Sequence, residues 1–133
     1  MSKPYSQVCP IARTLDIVGD RWTMLIVRDL FLGKTRFKQL LASSPGLPSK
    51  LLSDRLKKLE QHGLIERVVY SQHPLRAEYR LTDNGRSLAP LLDEIVRWGL
   101  DHCFVDEPEA RATFVSRIYG DTMPEIQSTD GGL

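Results

Sequence analysis

The segment LPSKLLSDRLKKLEQHGLI, residues 47–65, decides the fold. On a helical wheel of about 100° per residue, Leu52, Leu56 and Leu59 fall on one side and polar residues fall on the other. The polar side carries Lys50, Ser53, Asp54, Lys57 and Gln61. We therefore predict an amphipathic helix from Pro48 to His62 with a lysine-bearing outer face.

A change of period follows this helix. Residues 64–70, which hold four β-branched or aromatic side chains, and residues 76–81 around Tyr79 are predicted strands, and residues 71–75 connect them. This pattern predicts a β-hairpin, the wing.

Three helices are predicted before residue 47. Cys9-Pro10 begins the first, since proline is tolerated at a helix start, and Gly19 ends it. Asp20 is predicted to cap a second helix, which Gly33 terminates, and Thr35 is predicted to cap a third. The turn-rich residues 43–48 then join the third helix to the long amphipathic one.

A long helix capped by Thr82 is predicted after the wing, with Pro90 producing a kink or a local break inside it. Its apolar residues cover more of its circumference than one core stripe requires, which predicts a dimer partner. One more short helix is expected near Phe114, and residues 127–133 are expected to form a frayed tail. The fold class is mainly α with a small β-hairpin wing: a winged helix-turn-helix with flanking dimerisation helices.

Charge is segregated along the chain. The formal net charge is only +1. Residues 34–80, however, hold ten basic and four acidic residues, whereas residues 101–133 hold two basic and seven acidic residues. A segregated basic region is typical of a phosphate-binding face. The sequence therefore predicts double-stranded DNA as the partner; a lysine-rich helix face that merely contacts water is the alternative.

Candidate DNA contacts lie mainly on the amphipathic helix. In a helix-turn-helix, the N-terminal residues of the second helix meet base edges in the major groove. Ser49, Lys50 and Ser53 occupy these positions, and Lys57 follows them. Asp54 is ambiguous, because it could accept from cytosine or orient Lys50 or Lys57.

Three further basic residues are candidates. Arg36 and Lys38, at the start of the preceding helix, are predicted to hold backbone phosphates, with an ordinary surface role as the alternative. Arg76 in the wing is predicted to reach a minor groove or a flanking phosphate.

An ordered set of motifs resembles the HxlR family of bacterial winged helix-turn-helix transcription regulators, which is related in fold to the MarR type. The resemblance covers about residues 9–99, and the wing tip at residues 73–76 departs from the family's common double-proline form. The motifs are Cys9-Pro10, Gly19-Asp20-Arg21-Trp22-Thr23, Gly33 with Arg36-Phe37, Leu52-Ser53-Asp54-Arg55-Leu56, residues 59–65, Glu78-Tyr79, and Leu81-Thr82-Asp83-Asn84-Gly85.

The resemblance implies a homodimer, formed mostly by the first and last helices, that binds an operator with two half-sites, more often as a repressor. Some family members are thiol sensors that use a cysteine at the position of Cys9. A reaction of Cys9 with an oxidant or electrophile is therefore one expectation, and an intersubunit disulfide with Cys103 is conceivable. The alternative is that both cysteines are small hydrophobic residues.

A small-molecule effector is the alternative signal, bound in a pocket lined by Trp22 and Trp98 at the dimer helices; plain core tryptophans would need no ligand. A winged helix used only for protein contacts is another alternative. No enzyme, metal or cofactor is expected, because His62, His73 and His102 lack acid-base pairing or metal-ligand spacing.

Residues 9–99 are expected to form the DNA-binding domain and residues 100–133 an acidic, partly disordered C-terminal extension. The start of the chain lacks an apolar leader, and no apolar run approaches the ~20 residues of a membrane span. These features predict a cytoplasmic protein.

Overall fold

The computed structural model describes residues 8–119. These residues form two compact units, the first ending at Ser87 and the second beginning at Leu88. None of the helices in residues 8–119 is long and apolar enough to cross a membrane.

The first unit is a winged helix-turn-helix, as predicted. Its α3 and α4 form the helix-turn-helix, and the antiparallel hairpin of β1 and β2 is the wing. The elements in chain order are α1 Pro10–Val18, α2 Thr23–Phe31, α3 Phe37–Ser43, α4 Ser49–Gln61, β1 Ile65–Gln72, β2 Leu75–Leu81 and α5 Asp83–Arg86.

The apolar stripe of α4 anchors the core of this unit. Leu52 and Leu59 are fully buried and Leu56 is 1% exposed. Burying a leucine side chain contributes about 1.5–3 kcal/mol, so this stripe is a large part of the unit's stability. The other buried apolar residues of the unit are Val18, Ile26, Val27, Leu30, Leu40, Leu47, Leu64, Ile65 and Leu81.

The wing pairs from Ile65 opposite Leu81 to Gln72 opposite Leu75, with one irregularity between Val69 and Ser71. Tyr70 is the extra residue of this bulge, because Val69 pairs with Ala77 and Ser71 pairs with the next residue back along β2. A bulge increases local twist and re-aims a side chain.

The end of α4 is joined to the start of α5. The Thr82 hydroxyl donates to the Gly63 carbonyl at 2.6 Å and accepts from the Gly85 N–H at 3.0 Å. Gly63 has φ +73°, a left-handed conformation that favours glycine. A Cβ on Gly85 would lie 1.9 Å from the Leu64 carbonyl oxygen, so the close approach of these two backbone segments requires glycine at position 85. The motifs at residues 59–65 and 81–85 therefore form one packed corner.

Three predicted helix caps were wrong by one or two residues. Trp22 is at the N-cap of α2, with Asp20 two residues earlier, and Leu32 is at its C-cap instead of Gly33. Arg36 is at the N-cap of α3 instead of Thr35, because the Gln39 side-chain carbonyl accepts from both backbone N–H groups at 3.0 and 2.9 Å.

The prediction of one continuous long helix after Thr82 was also wrong. Thr82 caps only the four-residue α5, and the second unit begins a separate helix α6, Ala89–His102. Pro90 lies in the first turn of α6, where its missing N–H is not needed. Of the predicted kink or local break, the chain therefore has a break, which lies just before the proline.

The second unit contains α6 and α7, Pro108–Tyr119, the short helix predicted near Phe114. Leu100 is 4% exposed and is the centre of a small cluster with Val96, Phe104, Phe114 and Val115. The tail predicted at residues 127–133 lies outside the described residues.

Candidate nucleic-acid interface

The outer face of α4 carries most of the residues that the sequence predicts to contact DNA. Because the leucine stripe is buried, the opposite face points to water: Ser49, Lys50 and Lys57 are exposed and Ser53 is half-buried. The four contact residues predicted on α4 therefore lie on one accessible helix face.

The first turn of α4 has backbone donors available. The Pro48 carbonyl accepts from the Leu52 N–H at 3.0 Å, and within residues 8–119 no side chain caps this helix start. Uncapped N–H groups at a helix N-terminus favour an anion such as a phosphate. This end of α4 thus combines serine hydroxyls, a lysine and free N–H groups.

The ambiguous Asp54 pairs with Lys50. The Lys50 ammonium nitrogen lies 3.3 Å from an Asp54 carboxylate oxygen, one helical turn along the chain. Both side chains are largely exposed, and such surface pairs contribute about 0.3–0.5 kcal/mol. Lys50 can therefore leave Asp54 for a guanine or a phosphate at small cost.

A second ion pair holds α4 in place. Arg55 donates from Nε to the Asp20 carboxylate at 2.7 Å, and both side chains are about three-quarters buried. Asp20 also accepts from the Trp22 N–H at 3.2 Å and from the Thr23 hydroxyl. One carboxylate thus fixes the start of α2 and the middle of α4 together.

The environment of Asp20 favours its charged form. Burial raises the pKa of Asp20, but the hydrogen bonds from Thr23, Arg55 and Trp22, with the charge of Arg55, outweigh burial and leave the pKa below its ordinary value. Sequence reasoning missed this pair. The only signal was that Asp20 and Arg55 belong to two separate motifs of the family resemblance.

The two basic residues predicted at the start of α3 differ in their surroundings. Lys38 is exposed and, within residues 8–119, makes no ion pair. Arg36 instead lies 3.7 Å from a Glu78 carboxylate oxygen, and its guanidinium carbon lies 4.9 Å from the centre of the Tyr70 ring. Arg36 is thus already in contact with both strands of the wing.

The tip of the wing is open to solvent. Arg76 is exposed and pairs with Ser71 near the start of β2, and Leu75 beside it, which pairs with Gln72, is 60% exposed. The Ser71 hydroxyl donates to the Pro74 carbonyl at 2.9 Å and so braces the turn. Arg76 is therefore presented at the end of a braced hairpin.

Each predicted redox cysteine lies at a helix end. Cys9 is half-buried at the N-cap of α1, where its sulfur accepts from the Ala12 N–H at 3.5 Å. Cys103 is exposed at the C-cap of α6, and both are free thiols.

The two tryptophans belong to different units. Trp22 is half-buried, with the Arg21 guanidinium carbon 5.1 Å from its ring centre. Trp98 is 62% exposed and stacks on the His102 ring at 4.5 Å between centroids. In residues 8–119 we find no group of three metal-ligating side chains that could hold an ion.

Comparison with known proteins agrees with this geometry. The family model described as HxlR-like helix-turn-helix matches residues 17–107. The HTH-type transcriptional regulator YvaP of Bacillus subtilis (strain 168), itself uncharacterised, is 43% identical in an alignment of 105 residues that covers 76% of this chain and 97% of that protein.

Two solved structures are similar to this chain. The redox regulator HypR in its reduced form has a TM-score of 0.67 and 32% identity, covering 77% of this chain and 99% of its own. The reduced transcriptional regulator YodB from B. subtilis has a TM-score of 0.61 and 33% identity, covering 77% and 98%. The chain therefore belongs to the HxlR-like helix-turn-helix family and is a DNA-binding transcriptional regulator, not an enzyme.

Proposed function

We propose that this regulator binds as a homodimer to an operator with two half-sites and represses transcription there. The observation that carries the proposal is the outer face of α4, which is exposed, carries Lys50 and Lys57, and is fixed to the core by a buried leucine stripe. A helix with these properties fits a major groove.

The side chains of this face divide into two roles. Ser49, Lys50 and Ser53 at the start of α4 read base edges, because short hydroxyls and a lysine can reach acceptors there. Lys57, one to two turns later, anchors a phosphate. Lys38 and Arg76, both exposed and without an ion pair within residues 8–119, hold phosphates or a narrow minor groove on either side.

Dimerisation is supported by two apolar helix faces. On α1, Ile11 and Leu15 are 71% and 56% exposed; on α6, Ile95 and Trp98 are 47% and 62% exposed. Each pair is spaced three or four residues apart and so shares one helix face. Covering such faces with a second copy removes them from water and holds two α4 helices one helical turn of DNA apart, about 34–36 Å.

Control by a thiol reaction at Cys9 completes the proposal. Cys9 lies at the start of α1, and Cys103 lies at the end of α6. Each cysteine is therefore at one terminus of a helix of the proposed dimer interface. Two thiols, one from each subunit, lose two electrons and two protons to an oxidant such as diamide and form a disulfide. The diamide-treated form of YodB from B. subtilis is also similar to this chain, at 33% identity, which supports diamide as the test oxidant.

Selection of bound sequences from a random DNA pool tests this function, with the reduced and the diamide-treated protein run in parallel. The expected result is a two-fold-symmetric motif that the reduced protein enriches and the treated protein loses. Cys9→Ser should keep the motif under both conditions. Enrichment of no symmetric motif in either state would contradict operator binding, and equal enrichment by the treated wild type would contradict thiol control.

A second candidate signal is a small-molecule effector bound near Trp22 or Trp98. The exposed indole of Trp98, stacked on His102, offers a flat aromatic surface on which a ligand could lie. Tryptophan fluorescence during titration with candidate metabolites tests this alternative. A saturable change that also weakens DNA binding supports it, and a response to oxidant alone excludes it.

A further inference from the structure

We propose that Arg36 is a positioning residue that holds the wing against the start of α3, and that it is not a phosphate contact. The proposal rests on the proposed function, because it assigns Arg36 a role in DNA recognition through the wing. It replaces the phosphate role that the position and charge of Arg36 predict from sequence.

Glu78 is the first link between α3 and the wing. This carboxylate on β2 is only 21% exposed, and its oxygens lie 3.7 Å from Nε of Arg36 and 3.2 Å from Arg80. Arg36 and Arg80 are each more than half exposed, so Glu78 is the least mobile member of the group. The guanidinium of Arg36 is therefore directed toward the wing by a fixed negative charge.

Tyr70 is the second link. The Arg36 guanidinium carbon lies 4.9 Å from the centre of the Tyr70 ring, within the range of a cation–π interaction. Tyr70 is the extra residue of the β1 bulge, and a bulge changes the direction in which a side chain points. The irregularity in the wing is thus located at the residue that meets Arg36.

The backbone supplies the third link. The Tyr79 N–H donates to the Thr35 carbonyl at 2.8 Å, directly beside Arg36 and Glu78. Gln39 accepts from the N–H groups of Thr35 and Arg36, so the backbone at this end of α3 is itself held in place. Two side-chain contacts and one backbone bond therefore join the wing to α3.

This attachment matters because two separate elements must meet DNA at once. The base contacts belong to α4, and the wing contact belongs to Arg76 at the tip of the hairpin. If the wing pivots, Arg76 loses its fixed distance from α4, and ordering it on binding costs entropy. Loosening the wing should weaken DNA binding without changing the number of phosphates that the protein neutralises.

The substitution Glu78→Gln should change DNA affinity in opposite directions, depending on whether Arg36 contacts a phosphate or holds the wing. If Arg36 contacts a phosphate, removing a nearby negative charge frees the arginine and strengthens DNA binding. If Arg36 holds the wing, the same change loosens the hairpin, and DNA binding weakens by about 3- to 10-fold, the range of a modest coupling energy. Glu66→Gln is the matched control, since Glu66 is an exposed glutamate on the same hairpin.

The experiment measures affinity for the selected DNA as a function of salt for the wild type, Arg36→Ala, Glu78→Gln, their double variant and Glu66→Gln. We expect Arg36→Ala and Glu78→Gln each to weaken DNA binding, and the double variant to bind DNA no more weakly than Arg36→Ala. The dependence of log affinity on log salt concentration should keep the slope of the wild type. A slope lower by about 0.9 in Arg36→Ala, or tighter binding by Glu78→Gln, would overturn the proposal.

Hydrogen exchange at the Tyr79 amide provides a second readout that needs no DNA. Exchange should be faster in Arg36→Ala and in Glu78→Gln but unchanged in Glu66→Gln, while the melting temperature reports any global loss of stability. Unchanged exchange in both variants would refute the positioning role. Faster exchange in a protein that enriches no DNA motif would leave the wing attachment standing and refute the proposed function instead.

Discussion

Arg55, in the middle of α4, donates to the carboxylate of Asp20 at 2.7 Å, although the two residues are thirty-five positions apart in the chain. Asp20 also holds the Trp22 N–H and the Thr23 hydroxyl at the start of α2. The angle of α4, the proposed DNA-reading helix, is therefore tied to the α1–α2 turn by one partly buried carboxylate.

Asp20→Asn should destabilise the folded protein by about 1–3 kcal/mol at neutral pH, the range for charged hydrogen bonds. The folded-state pKa of Asp20 lies below its ordinary value, so the contribution of the charged form is complete above the unfolded pKa, about 3.9. It is lost as pH falls through the lower folded pKa. Urea unfolding at several pH values measures this contribution.

The difference in stability between the wild type and Asp20→Asn should stay constant above about pH 5 and shrink on acidification. Asp54→Asn is the control, because within residues 8–119 the one ion pair of Asp54 is the exposed pair with Lys50 on the same helix, and its loss should change stability by less than about 0.5 kcal/mol. A difference that grows at acidic pH would contradict the assigned direction of the pKa shift.

Lys57→Ala and Lys50→Ala should weaken DNA binding in different ways. Losing a phosphate contact at Lys57 weakens binding to all sequences and lowers the salt slope by about 0.9. Losing a base contact at Lys50 reduces the preference for the selected sequence, by about 1–3 kcal/mol. Fluorescence anisotropy at several salt concentrations, on selected and random duplexes, separates the two effects.

Lys58→Ala is the control for both lysine variants, since Lys58 lies on the same helix but outside the arc that holds Lys50 and Lys57. A loss of affinity in Lys58→Ala as large as that in Lys57→Ala would mean that α4 meets DNA through a different face.

Leu59→Ala should destabilise the first unit by about 2–5 kcal/mol, because a fully buried leucine loses its transfer free energy and leaves a cavity. Chemical denaturation followed by circular dichroism measures this. Leu75→Ala, at an exposed position in the wing tip, should stay within about 0.5 kcal/mol of the wild type. Similar losses for the two variants would contradict the assignment of the core.

Gly85→Ala should be more harmful than Gly63→Ala. A methyl group on Gly85 meets the Leu64 carbonyl oxygen at 1.9 Å, so the backbone of the corner must move. At Gly63 the added methyl group has open space, and only the left-handed φ of +73° opposes it, at about 1–2 kcal/mol. Thermal unfolding should show a lower melting temperature for Gly85→Ala than for Gly63→Ala. The reverse order would refute the close approach of Gly85 to the Leu64 carbonyl.

Much of the fold follows from local pattern. The leucine spacing of α4 and the β-rich runs after it correctly predicted a helix and a hairpin, because amphipathic periods depend only on neighbouring residues. The helix after Thr82 was predicted less well. A proline such as Pro90 destabilises a helix when it lies in the interior, but it has no such cost in the first turn. The sequence pattern alone did not show which of these two positions Pro90 occupies.

The candidate site was predictable to a similar extent. Lys50 and Lys57 were correctly placed on an exposed face, because the buried leucines fix the rotation of α4. The carboxylate partners of Arg36 and Arg55 were not predicted, since Glu78 and Asp20 come from distant segments. A helical wheel contains no information about segments that pack against the helix.

The sequence by itself determined a winged helix-turn-helix with a basic segment at residues 34–80, through helical period, β-propensity, turn residues and charge. Only the tertiary structure decided which basic side chains are available to DNA. Arg36 and Arg55 are bound within the protein, whereas Lys38, Lys57 and Arg76 make no ion pair among residues 8–119. The physical reason is that charge is a property of a residue, while an ion pair depends on the packing that brings distant residues together.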